Sequence, residues 1–185
     1  EIILSKRRDL DSYQIGRWSY GDVRVLRYRV SGNLKIGSFC SFGEDTLIML
    51  GGDHNPRNIS TFPFGVLMGG VSDTAHATTK GDVVIGSDVW VGLHSTILSG
   101  VKIGDGAVIG ANSLVTRDVP PYAVAAGNPA RVVKMRFPQP VIDELLRIQW
   151  WSWSDDDIKR AAPLLLDENV DRFLEFAAGQ SRKKA

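Results

Sequence analysis

From Ile85 to Val119 the chain repeats every six residues. The hexapeptides Ile85–Trp90, Val91–Thr96, Ile97–Lys102, Ile103–Val108 and Ile109–Leu114 each open on Ile or Val, and Val115 opens the next. The second position is usually Gly, and the fifth is small or β-branched: Val89, Ser95, Val101, Ala107, Ser113 and Val119. A period of six fits neither the turn of an amphipathic helix nor the simple alternation of a half-buried strand. It fits a β-solenoid, in which each short strand opens on an inward branched residue and ends in a tight turn. Three strands then complete a triangular coil, so Ile85 lies under Ile103 and Val91 under Ile109. One coil cannot bury its own apolar face, so coils must stack. The recurrent Gly is read as a turn position that tolerates positive φ.

The period extends backwards imperfectly. Ile36–Ser41 and Phe42–Leu47 match it, and Ile15–Tyr20 is an earlier match. Between them, Val23 and Val25 with Arg24, Arg27 and Arg29 read as an irregular or edge strand. Cys40 falls on a fifth position and reads as a small buried residue rather than a nucleophile.

From about residue 49 to 80 the pattern is absent. This excursion holds the turn-forming Gly51-Gly52-Asp53-His54-Asn55-Pro56 and the run Ser60-Thr61-Phe62-Pro63-Phe64, followed by a small, polar stretch from Val71 to Lys80. Long irregular loops inside compact repeats are usually functional or disordered, and this one is read as functional. It carries His54 and His76, two of the three histidines.

Pro120-Pro121 ends the clean repeat. Tyr122 to Val133 is expected to add one more coil, turning at Gly127-Asn128-Pro129-Ala130. From Pro140 the period becomes helical: Val141, Ile142, Leu145, Leu146 and Ile148 form one amphipathic face. After Trp150-Trp151-Ser152-Trp153, Ser154 is a good N-cap for a second helix to about Leu166. A third is expected from Val170 to Phe176, with Gly179 to Ala185 disordered. The tryptophans are read as sealing this tail against the scaffold. The predicted organisation is an all-β, parallel β-helix domain over residues 1–135 and an α-helical C-terminal appendage over 136–185.

Composition narrows the function classes. The 185 residues are 43% hydrophobic, enough for one domain with a sizeable core. A net charge of +1 gives no electrostatic footprint for nucleic acid. No apolar run approaches the ~20 residues needed to span a bilayer, so no membrane insertion is expected. The opening residues are too short and wrongly ordered for a secretion signal. A single cysteine fits a reducing, cytoplasmic setting.

The hexapeptides, the interrupting loop and the tail together resemble one family, the left-handed β-helix acyltransferases, in the xenobiotic acetyltransferase branch of type B chloramphenicol and streptogramin acetyltransferases. The resemblance covers about residues 30 to 160. It is carried by Ile36–Ser41, Asp53-His54, Ser60–Phe64, Gly81–Gly92, Ala125–Ala130 and Trp150–Trp153. It implies a left-handed coil, a homotrimer, acetyl-CoA as cosubstrate and transfer to a hydroxyl of a small molecule. The acceptor is an antibiotic such as chloramphenicol or a streptogramin or, as the alternative, a sugar of a surface polysaccharide or its nucleotide-sugar precursor. Asp53 stands where the family usually has Asn and Phe62 where Tyr is common, both where the acceptor would bind.

Acetyl transfer to a hydroxyl needs a base, and neutral imidazole suits the task. His54 matches the family's catalytic histidine, whose tautomer a backbone carbonyl is expected to hold. With no serine beside a visible base and Cys40 buried, direct transfer is favoured over an acyl-enzyme. The resemblance places an oxyanion donor at a backbone N–H just after Trp90, at Gly92 or Leu93. It places coenzyme A along Trp90, Ala111, Thr116, Arg117 and Arg131, and the acceptor near Asp53, Phe62 and Phe64. No metal is expected. Two minor readings compete: a zinc carbonic-anhydrase-like protein using His54, His76 and His94, and a non-catalytic solenoid.

Overall fold

The computed structural model describes residues 2–69 and 77–184, with side chains in the last helix described to residue 180. The chain divides into two compact units, residues 1–136 and 137–185.

The first unit is a stack of parallel coils. The lowest contributes β1 (Gln14–Ile15) and β2 (Tyr20–Leu26), and the next β3 (Leu34–Ile36) and β4 (Ser41–Met49). The excursion follows, with β5 (Asp53–His54), α1 (Phe64–Leu67) and β6 (Ala77–Thr78). Two further coils then run through β7 (Val83–Ile85), β8 (Trp90–Val91), β9 (Thr96–Ile97), β10 (Lys102–Ile103), β11 (Val108–Ile109) and β12 (Leu114–Val115). The unit closes with β13 (Ala123–Gly127) and β14 (Ala130–Met135).

Parallel pairing sorts these strands into three faces. The first is β1-β3-β7-β10, with Ile15, Ile36, Ile85 and Ile103 in register. The second runs through the start of β4, β8, β11 and β13, with Phe42, Val91, Ile109 and Ala125 in register. The third runs through the ends of β2 and β4, then β9 and β12, with Val25, Ile48, Ile97 and Val115 in register. The eighteen-residue stacking of Ile85 under Ile103 and of Val91 under Ile109 is as the hexapeptides predict. These ladders are the core. Ile36, Ile48, Ile85, Val91, Ile97, Ile103, Ile109 and Val115 are each no more than 2% exposed, and full burial of such side chains contributes roughly 1.5–3 kcal/mol apiece.

The second-position glycines serve a different purpose from the one expected. None of Gly37, Gly86, Gly92 and Gly110 has positive φ. A Cβ on Gly37 would meet the Gly86 carbonyl carbon at 2.5 Å, and one on Gly92 would meet the Ala111 amide nitrogen at 2.5 Å. Glycine is required there because successive coils touch backbone to backbone. Positive φ belongs to the fourth position instead, where Asp88, His94 and Asn112 each have φ 57. Between coils, carboxylates accept backbone N–H groups: Asp105 from Ser87 at 2.6 Å and Asp118 from Lys102 at 2.8 Å.

The stretch from Tyr122 to Val133 is not simply another coil. β13 does pair in parallel with β11, but β14 folds back on β13 as an antiparallel hairpin, turning at Asn128-Pro129.

The second unit holds α2 (Gln139–Ile148), α3 (Asp155–Leu165) and α4 (Val170–Lys184). Ser154 caps α3 by accepting the Asp157 N–H at 3.2 Å. The ring of Trp153 packs inside this unit, 6.0 Å from that of Phe173 and 6.4 Å from that of Phe176. The expected disorder from Gly179 is corrected, since α4 continues helically to Lys184. Among the described residues no helix is long and apolar enough to cross a membrane.

Candidate active site

The excursion leaves and returns at the turn that joins the third face to the first. Leu50 and Thr79 meet there, the Thr79 hydroxyl donating to the Leu50 carbonyl at 2.8 Å. Gly52 has φ +84, and a Cβ on it would lie 2.6 Å from the Tyr28 ring, so that ring lies against the Gly52 backbone. β5 then pairs antiparallel with β6, Asp53 opposite Thr78 and His54 opposite Ala77.

His54 is exposed, and its Nδ1 lies 2.6 Å from the carbonyl oxygen of Thr61. A carbonyl only accepts, so in the neutral ring Nδ1 carries the hydrogen and Nε2 carries the lone pair. Thr61 belongs to the run that holds Phe62 and Phe64, whose rings stand edge to face with centroids 4.9 Å apart. Phe62 and Phe64 are 45% and 44% exposed, and Val66, Leu67 and Met68, on and just after α1, are exposed as well. Asp53 does not turn toward the histidine. Its Oδ2 accepts the hydroxyl of Ser99, on the coil turn between β9 and β10, at 2.9 Å. His76 lies outside the described residues.

The coil residues fall into two groups. Trp90, 57% exposed, stands on the outside of the second face in register with Ser41 and Val108. Gly92, Leu93 and Ala111 cluster at the turn between the second and third faces. The Gly92 N–H donates to the Ile109 carbonyl at 2.8 Å, in the ladder between coils. Leu93 is 45% exposed, and among the described residues no hydrogen bond engages its amide. Thr116 and Arg117 occupy the opposite end of the third face. Val115 pairs with Ile97, so their turn stacks on Leu98-Ser99, where the excursion is rooted. Arg131 lies on β14 opposite Ala126, with Nη1 donating to the Ala130 carbonyl at 2.8 Å.

Within one chain, therefore, the root of the excursion that carries His54 and the Leu93/Ala111 turn sit at opposite ends of the third face. Five extended residues at about 3.3 Å each make that face roughly 16 Å wide.

Other titratable groups lie on the coils rather than on the excursion. Cys40 is fully buried, which pushes its thiol up to about 12, and its Sγ is 3.0 Å from the Gly86 carbonyl oxygen. Burial pushes the Asp88 carboxyl up to about 6, against the opposing attraction of Arg136 at 3.6 Å. His94 sits in a coil turn 3.9 Å from the Asp45 carboxylate. Among the described residues no three metal-ligating side chains cluster.

Residues 82–117 match the bacterial transferase hexapeptide family, in its six-repeat form. A chloramphenicol acetyltransferase of Agrobacterium fabrum (strain C58 / ATCC 33970) is 44% identical over 193 residues, spanning 95% of this chain and 92% of the relative. The chain belongs to the hexapeptide-repeat acetyltransferases. It falls in their xenobiotic branch and is itself an acetyltransferase. A probable macrolide acetyltransferase of Lysinibacillus sphaericus is 42% identical over 75% of this chain and 80% of its own length. Among solved structures, a maltose O-acetyltransferase from Clostridium difficile 630 superposes with a TM-score of 0.53 at 28% identity, over 69% of this chain and 60% of that one.

Two residues of this acetyltransferase's candidate site carry no distinguishing signal in the sequence. Thr61 acts through its carbonyl, which carries no side-chain signal. Ser99 looks like any third-position turn residue, 46 positions from the aspartate it holds.

Proposed function

We propose that this chain is an acetyl-CoA-dependent O-acetyltransferase that modifies a lipophilic hydroxyl compound of the antibiotic class by direct transfer, with His54 as general base. The observation that carries the reading is the Thr61 carbonyl at His54 Nδ1, which directs the basic lone pair to Nε2. In the proposed reaction Nε2 takes the acceptor hydroxyl proton as that oxygen attacks the thioester carbonyl. The Leu93 amide supplies a hydrogen bond to the developing oxyanion. The imidazolium then returns the proton to the departing thiolate, leaving acetyl ester and free coenzyme A. The residues proposed along coenzyme A are Trp90, Leu93, Ala111, Thr116, Arg117 and Arg131, with exposed guanidinium groups for its phosphates.

The fold proposed is a left-handed β-helix, and the assembly a homotrimer. Its support is the separation of the root of the excursion that carries His54 from the Leu93/Ala111 turn, because a second copy packed along the coils completes the site with residues of its own. The free thiol of Cys40 is in keeping with a cytoplasmic setting.

The acceptor class is argued from the loop. Phe62, Phe64, Val66, Leu67 and Met68 are exposed apolar side chains on the excursion that carries His54, which suits a lipophilic antibiotic better than a polyol or nucleotide diphosphate. A sugar acceptor is the second reading, favoured by the structural likeness to a maltose O-acetyltransferase. Thiol release from acetyl-CoA, measured with chloramphenicol, streptogramin A, nucleotide-sugars and glycans, tests both. Turnover with an antibiotic is expected. Turnover confined to the sugars would transfer the assignment to the second reading, and none with any acceptor would favour a non-catalytic solenoid.

A further inference from the structure

We infer that Ser99 is a positioning residue for His54, acting through Asp53. Ser99 is 3% exposed, in the coil turn between β9 and β10. Its Oγ accepts the Lys80 N–H at 3.2 Å and lies 2.9 Å from Asp53 Oδ2. An amide N–H can only donate and a carboxylate only accepts, so the hydroxyl hydrogen points to Asp53. One hydroxyl thus ties the outgoing arm of the excursion, at Asp53, to its returning arm, at Lys80.

The turn that carries this hydroxyl is itself fixed. Leu98 N–H donates to the Val115 carbonyl and Gly100 N–H to the Gly81 carbonyl, each at 3.0 Å. Asp53 and His54 are consecutive in β5, and successive strand side chains point to opposite sides. Holding Asp53 against the coil therefore turns His54 away from it, toward Thr61. The same geometry explains why the carboxylate does not touch its neighbour's ring. Anchoring matters here because misplacement of a catalytic group by about 1 Å can cost about a hundredfold in rate.

This inference rests on His54 being the base, and the test separates the two. The assay uses acetyl-CoA with chloramphenicol, or with streptogramin A if that is the better acceptor. Ser99→Ala and Asp53→Ala are each expected to lower kcat by about ten- to a hundredfold, with KM for acetyl-CoA unchanged. Asp53→Asn is expected to recover most of the activity, because its amide oxygen still accepts from Ser99. Ser99→Ala added to His54→Ala should cost nothing further, since the positioned group is gone. If both Ala variants keep near-normal kcat while His54→Ala is inactive, the anchor is refuted and the base survives. If Ser99→Ala lowers the residual rate of His54→Ala by the same factor as in the parent, Ser99 acts elsewhere and the inference falls. If Asp53→Ala raises only the acceptor KM while Ser99→Ala is normal, Asp53 meets the acceptor directly and the inference again falls. Should Ser99→Ala fail to fold, the Asp53→Ala and Asp53→Asn pair decides alone.

Discussion

Gly37 lies so closely beneath Gly86 that a single methyl group on Gly37 would fall 2.5 Å from the carbonyl carbon, the carbonyl oxygen of Gly86 and the amide nitrogen of Ser87. These are backbone atoms, which cannot swing aside. Gly37→Ala must therefore pry two coils apart or lose the Gly37 N–H bond to the Ile85 carbonyl, now 2.8 Å. Overpacking costs about 1–3 kcal/mol, and the upper end is expected here, read as a lowered melting temperature. Gly179→Ala is the control: it is helical, with nothing within 4 Å of the added Cβ, and should be neutral or slightly stabilising. Equal melting temperatures for the two variants would mean the coils are looser than this spacing requires.

Asp88 gives a pH prediction of definite sign. Burial raises its carboxyl from 3.8 to about 6, the attraction of Arg136 offsetting only part of the rise. The folded chain therefore binds this proton more tightly than the unfolded chain, and stability falls as pH rises through that window. Asn mimics the protonated acid, so Asp88→Asn should match the parent near pH 4 and exceed it above pH 6. The difference should be on the order of 1–3 kcal/mol, toward the lower end because the side chain is 30% exposed and water screens it. Denaturant melts across that range measure it. An advantage that grew as pH fell would show that Arg136 outweighs burial.

What the sequence made legible follows from which interactions repeat. Each coil residue such as Ile85 meets the equivalent residue of the next coil, so one periodic pattern specifies strands, stacking and core together. The glycine misreading has a physical origin: composition shows that a side chain is excluded at Gly86, not whether torsion or contact excludes it. The hairpin of β13 and β14 broke the pattern because Asn128-Pro129 turns the chain back, a reversal the apolar spacing of Val124 and Val132 does not encode. In the candidate site, His54 and the aromatic run were singled out by their place in an irregular loop together with the family resemblance. Their supports at Thr61 and Ser99 were not, because one is a backbone carbonyl and the other is joined only by the long return of the chain.

Arg117 is exposed on the turn stacked above Ser99 and is proposed to meet a coenzyme A phosphate. A contact of that kind is made in ground and transition states alike. Arg117→Ala is expected to raise KM for acetyl-CoA about tenfold, equivalent to about 1.4 kcal/mol, with kcat changed less than about twofold. The loss should shrink at high salt, where exposed charges are screened. An effect confined to the acceptor KM would move Arg117 to the other substrate.

His54 carries the sharpest expectation. Its Nδ1 is committed to the Thr61 carbonyl, so proton removal falls to Nε2. General-base catalysis contributes about two to four orders of magnitude, and His54→Ala should lower kcat by that factor. The side chain is exposed and absent from the core ladders, so the assembly and KM for acetyl-CoA should be unchanged. His54→Gln is the stricter test, since it keeps a polar side chain near Thr61 but supplies no basic nitrogen, and it should be as slow as the alanine variant. His94→Ala, altering a coil turn on a different corner, should retain most of the activity. Near-normal kcat in His54→Ala together with a large loss in His94→Ala would place the base on the wrong turn, and with it the acceptor pocket.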